Sequence, residues 1–181
     1  MMNLSNDQII QDTERWLEKA VIGLNLCPFA KAVHVKKQLR YAVSDARNID
    51  VLIETLIKEL ELLAETDPAK IEMTLLIHPY VLGDFLAYND FLEIADSVLE
   101  ELNLDGIFQI ASFHPQYQFE GSQPDDIANY TNRSPYPTLH LLREDSISKA
   151  VEAFPDADVI VDRNIATLRS MGHEGWKKLW M

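Results

Sequence analysis

Two short apolar runs, Met73 to Ile77 and Phe108 to Phe113, each close on the same dipeptide, His78-Pro79 and His114-Pro115. Such runs are too short for ordinary helices, and consecutive apolar side chains suit strands covered on both faces. Between them Phe91, Ile94, Ala95, Val98, Leu99 and Leu102 recur at helical spacing, with Asp90 through Glu93 as the expected cap. Before them Ile49, Leu52, Ile53, Leu56, Leu60 and Leu63 mark another helix, stopped by Asp67-Pro68, and Leu39, Tyr41 and Val43 alternate as a strand. The middle of the chain therefore reads strand, helix, strand, helix, strand. Strands joined through helices need crossovers, so the fold class is α/β (or α+β), a small mixed β-sheet with packed helices in a single domain, residues 1–181. If the two apolar runs are near-neighbours pointing the same way, His78 and His114 emerge on one edge. That edge lies beyond the carboxyl ends of the strands, where open α/β sheets gather ligands.

The flanks read as helical. Ser5 through Gln8 forms a capping box ahead of Ile9, Ile10, Thr13, Trp16, Leu17, Ala20 and Val21, and Gly23 is the expected left-handed C-cap. Pro28 suits the first turn of a following helix, which places Cys27 at its N-cap, where the dipole depresses a thiol pKa. The alternative for Cys27 is a small buried apolar residue. Thr138 to Leu142 returns as a strand, Ser146 is expected to cap a helix, and Asp158 to Met171 forms another that ends at Gly172. Trp176, Leu179 and Trp180 make an apolar stripe suited to core packing or to an oligomer contact.

The connection from Phe113 to Glu144 is too long for a plain linker. Tyr117, Phe119, Ile127, Tyr130 and Tyr136 make it too apolar for disorder. It carries the residues from which a site is expected. His114 is suited to moving a proton, Asp126 to orienting a histidine or taking the proton itself, and Cys27 is the third catalytic candidate. Arg133 and Arg143 offer planar forks for carboxylate or phosphate, with Asn129, Asn132 and Tyr117 beside them. Arg133 and His114 are expected to share one pocket with Tyr117, Asn132 and Cys27, and the Tyr136-Pro137 bond is expected to be cis. The opposing expectation is that Asn, Asp and Pro only shape turns here, while the arginines pair with Asp125, Asp126 or Glu144.

Composition narrows the partners. A net charge of −13 over 181 residues disfavours nucleic acid and anionic membranes, and no run approaches membrane-spanning length. Cys27 is the only cysteine, which suits a reducing, cytoplasmic location. Acids dominate from Ile49 to Asp105, whereas Lys31, His34, Lys36, Lys37, Arg40 and Arg47 face only Asp45, a basic rim able to attract an anionic ligand.

Gly23-Leu24-Asn25-Leu26-Cys27-Pro28-Phe29-Ala30, Phe113-His114-Pro115, and Asn132-Arg133-Ser134-Pro135-Tyr136-Pro137 through His140-Leu141-Leu142-Arg143-Glu144 resemble a bacterial family of similar length. That family is known only as a domain of unknown function. The resemblance runs nearly end to end and implies a single-domain cytoplasmic protein; it brings no activity, cofactor or partner.

Three functions stay open. One is an enzyme or binding protein for a small anionic molecule, using His114 and Arg133. A second is a divalent-metal site held by His78, His114 and His140, with Cys27 or Asp126. The third is a non-catalytic regulatory or interaction protein using its acidic helices or the Trp176/Trp180 tail.

Overall fold

The computed structural model describes residues 4–154 and 156–181. Ser5 caps the first helix, α1 (Asn6–Trp16), by accepting from the Gln8 amide at 3.2 Å. The helix then widens into a π-helical segment, Leu17–Ile22. Gly23 remains right-handed helical, and the left-handed turn falls on Asn25, at φ 53°. The glycine is needed for closeness instead, since a Cβ there would sit 2.3 Å from the Lys19 carbonyl oxygen. Helix α2 (Ala30–Val35) begins later than Pro28 implies, with Phe29 at its N-cap. Cys27 accordingly does not cap a helix, and the dipole argument for its thiol lapses.

Strands β1 (Leu39–Val43), β2 (Met73–Ile77), β3 (Phe108–Phe113) and β4 (Thr138–Arg143) form one mixed sheet in the order β1-β2-β4-β3. β1 and β2 are parallel, and β4 runs antiparallel to both β2 and β3. The two His-Pro strands are therefore parallel to each other with β4 between them. Helix α3 (Ile49–Glu65) links β1 to β2 under an Asn48 cap, and α4 (Phe85–Glu101) links β2 to β3. The α4 cap is Asp84, not the Asp90 box, because its carboxylate accepts from the Ala87 amide at 3.0 Å and starts the helix a turn and more earlier. Helix α5 (Glu144–Ala153) starts directly at the strand end, without a Ser146 cap, and α6 (Ala157–Lys178) is broken at Gly172, whose φ is 64°.

Side-chain alternation sorts the sheet into two faces. Ala42, Leu76, Phe108, Leu139 and Leu141 meet Leu52, Leu56, Leu60 and Leu63 of α3 and Tyr88, Phe91 and Ala95 of α4 in the main core. Leu39, Tyr41, Leu75, Ile77 and Phe113 turn the other way, toward Ile9, Trp16 and Leu17 of the first helix. No helix among the described residues is long and apolar enough to cross a membrane. All peptide bonds among the described residues are trans, Tyr136-Pro137 included. The bend there is held by hydrogen bonds, with the Ser134 and Thr138 hydroxyls donating to the Tyr136 carbonyl at 2.7 and 2.8 Å.

Candidate functional site: two clefts on one face of the sheet

His78 and His114 do emerge on the same edge and the same face, on either side of the Tyr88 ring. Their ring centroids lie 5.8 and 4.9 Å from it. Both imidazoles are fully buried. His114 accepts from the Gln116 amide through Nδ1 (3.0 Å) and pairs through Nε2 with the Leu82 carbonyl (2.9 Å), so Nε2 carries the proton. His78 reaches the Val81 carbonyl through Nδ1 at 3.0 Å, while its buried Nε2 has no partner. Burial pushes His78 down to about 4 and lowers His114 as well, which keeps both neutral. Together they pin the turn before α4, where Leu82 takes the left-handed φ of 61°. Tyr88 donates to the Thr138 carbonyl (2.6 Å) and accepts from the Phe113 amide (3.1 Å). This trio braces the sheet edge, and His114 opens onto neither cleft described below. The contacts seen for His114 are those of a structural brace, where the sequence led us to expect a proton carrier.

His140 does not complete a metal set. It faces Leu75 and Ala111 across the strands, on the opposite side of the sheet from His78 and His114, with Nε2 3.0 Å from the Met73 sulfur. Glu14, Glu18 and His34 do bring ligand-type atoms within 4.8 Å of one another, but His34 is already paired with Glu18 at 3.0 Å. The four-residue spacing of Glu14, in α1, and Glu18, in the π-helical segment that continues it, was the one sequence signal for that cluster.

Most of the polar loop residues hold the loop itself. Asn129 is fully buried; its carbonyl oxygen accepts from the Phe119 amide and the Ser122 hydroxyl, both at 2.9 Å, and its amide donates to Gln123 at 2.8 Å. Asp126 caps the 3-10 turn Ile127–Asn132 through the Ala128 amide, with no histidine to orient. Asn132 donates to the Ser112 carbonyl at 3.0 Å, tying that turn to β3. Tyr117 packs between Phe85 and Phe119, at 5.2 and 5.0 Å. Arg143 is equally committed. One terminal nitrogen reaches the carbonyls of Leu63, Thr66 and Ile71 at 2.8–3.0 Å, so the cation closes the carboxyl end of α3. Burial lowers its pKa, with Glu72 and Asp67 opposing.

Arg133 is different. Its Nε donates to the Tyr117 carbonyl (3.0 Å) and a terminal nitrogen to that of Pro124 (2.6 Å), while the guanidinium lies 4.4 Å from the Tyr130 ring centroid. These contacts orient the fork without neutralising it. It opens onto a cleft of about 370 Å³ shared with Arg15, Tyr130, Trp16, Trp176 and Trp180. Those are all three tryptophans of the chain. Arg15 spends one N–H on the Trp180 carbonyl at 2.6 Å. Neither guanidinium lies within ion-pair distance of a carboxylate among the described residues. The one acid in the lining, Asp12, is engaged by the Tyr136 hydroxyl (2.5 Å) and the Gln8 amide (2.8 Å). The tryptophan stripe of the tail is thus turned inward, onto Tyr130 and Trp16.

A second cleft, of about 590 Å³, lies on the other side of Trp16. Cys27, Pro28 and Phe29 reach it from the first connection, Phe113 from β3, and His140 and Leu142 from β4. The expected single pocket is therefore corrected. Arg133 and Cys27 line different clefts, and His114, Tyr117 and Asn132 line neither. Burial drives His140 down to about 4, which leaves that cleft's interior uncharged.

The structure is a single-domain α/β protein built on a four-stranded mixed sheet, with Trp16 lining both clefts. The chain belongs to the family described as Protein of unknown function (DUF1415), which matches residues 8–178. No curated protein and no solved structure matches it.

Proposed function

We propose that the protein binds a small carboxylate or phosphate carrying a flat ring, in the cleft between Arg15 and Arg133. The observation that carries this reading is the pairing of two carboxylate-free guanidiniums with a wall made of every tryptophan in the chain. Guanidinium forks favour planar oxyanions, and the indole and phenol rings favour stacking of a ring behind the charge. An anion site is also the one kind of attraction that a protein of net charge −13 must build locally rather than inherit from its overall field. Binding is better supported than catalysis here, because Asp12 is occupied by Tyr136 and His114 lies elsewhere. A cytoplasmic location belongs to the same reading, on the strength of the single thiol.

Titration of intrinsic tryptophan fluorescence with phenyl phosphate and with benzoate tests it. A saturable change is expected, weakened roughly tenfold in Arg15→Ala, the loss of one charge-assisted contact. No saturable change, or an equal response to uncharged phenol, contradicts the reading.

A further inference from the structure

The larger cleft has features that the anion site does not explain. Helix α5 covers it, with Ile147, Ala150 and Ala153 in the lining, yet α5 buries none of its residues. An amphipathic helix ordinarily gains its stability by burying its apolar stripe in the core. Here that stripe looks across an opening toward Leu39, Leu75, Phe113 and Leu142 of the sheet. At the far end Phe154, just beyond α5, meets Phe29 edge-on at 5.3 Å and clasps the cover to the Cys27 loop. The interior polar groups are few. Cys27 is half-buried, and His140 is held neutral by burial. The charges sit at the margin. Lys36 and Lys149 are exposed lining residues, and neither forms an ion pair among the described residues. Glu72, the acid in the lining, lies in the field of Arg143.

We propose that this cleft is a binding site for an amphipathic acid, with its apolar chain between α5 and the sheet and its anionic head at Lys36 and Lys149. A cavity of this volume and apolarity is of the size that encloses a small ligand rather than a solvent crevice. Two lining lysines without ion-pair partners among the described residues select an anionic head over a neutral or cationic one. The chain would complete the core that α5 otherwise leaves unfilled. This site is separate from the Arg15/Arg133 cleft, with Trp16 as the shared wall.

Cys27 is the only thiol in the protein and lines this cleft alone, so its alkylation reports occupancy here and not at the guanidiniums. The full chain is labelled with iodoacetamide in the presence of decanoate, decanol or decyltrimethylammonium, each below its aggregation threshold. Decanoate is expected to protect Cys27 at roughly tenfold lower concentration than decanol, the worth of one charge-assisted contact, and the ammonium compound is expected to protect least. In Lys36→Glu/Lys149→Glu, both exposed positions, the advantage of decanoate over decanol should vanish while protection by decanol persists. Absence of protection by all three compounds overturns the site. Equal protection by the three in the unsubstituted protein, or an unchanged decanoate advantage in the double variant, overturns the acid head.

Discussion

The two faces of the sheet are built from the same strands and do opposite things. On the α3/α4 face the leucines of α3 interlock with Leu76, Leu139 and Leu141, all essentially fully buried, and the edge is closed by His78, Tyr88 and His114. On the other face Trp16 packs against Phe113 at a centroid distance of 5.2 Å, and an opening lies on each side of it. Polar residues divide in the same way. Those on the packed face, Tyr88, His114 and Arg143, spend their hydrogen bonds on backbone carbonyls and amides. Those on the open face, Arg15, Arg133, Cys27 and His140, keep chemistry in contact with a cleft. A buried histidine at a strand end is thus a brace on one side, while a histidine inside a strand borders a cavity on the other.

The sharpest way to break this contrast uses two adjacent residues. Leu141 is fully buried in the main core, whereas Leu142 lines the larger cleft. Leu141→Ala should cost about 3 kcal/mol in urea denaturation and Leu142→Ala about 1 kcal/mol or less, since only the first opens a cavity in packed surroundings. Comparable losses at the two positions would mean that both faces are equally packed.

A smaller effect comes from pH. His78 is held at about 4, below its ordinary 6.5. Between those values the unfolded chain binds the extra proton, so stability falls as pH drops from 7 and levels off below about 4. By pH 5 the loss from this ring alone should be about 2 kcal/mol, read as a falling midpoint of denaturation. A flat profile from pH 7 to 5 would show that the edge trio tolerates charge.

Smallest of all is Cys27→Ala. With the side chain bordering an opening, the change should shift stability by less than about 1 kcal/mol. A larger loss would place the thiol in the packed core, as the alternative sequence reading had it.

How much of this was legible in the residues depends on distance along the chain. Met73 to Ile77 and Phe108 to Phe113 show strands from composition alone, because short, mostly apolar runs interrupted only by Thr74, Gln109 and Ser112 leave few other options. Their parallel direction, and the shared edge of His78 and His114, followed from the helix between them. The insertion of β4 between the two strands did not, since nothing in Thr138 to Arg143 says which edges are free. That insertion puts His140 on the opposite face and dissolves the three-histidine metal set. A local cap signal misled at Asp90, since the helix is capped a turn and more earlier by Asp84. In the loop the turn-forming explanation held for Asn129 and Asp126. For Arg133 and Arg143 the partners are backbone carbonyls rather than the carboxylates nearest in sequence, a pairing that only the tertiary fold creates. The cleft itself had no local signature, because Arg15, Arg133 and Trp176 come from three distant parts of the chain. The three stretches that resemble the family divide between the two clefts. Pro115, Arg133, Ser134 and Pro135 reach the smaller cleft, and Cys27, Phe113 and His140 the larger.

The central claim, that ligands meet the Trp16 face and not the histidine edge, is tested most directly by nitrogen–proton correlation spectra of the indole and imidazole groups during titration with phenyl phosphate. The account predicts that indole signals from Trp16, Trp176 and Trp180 move together and saturably, while the ring signals of His78 and His114 stay fixed. Movement of those two histidines with the indoles unchanged would contradict it.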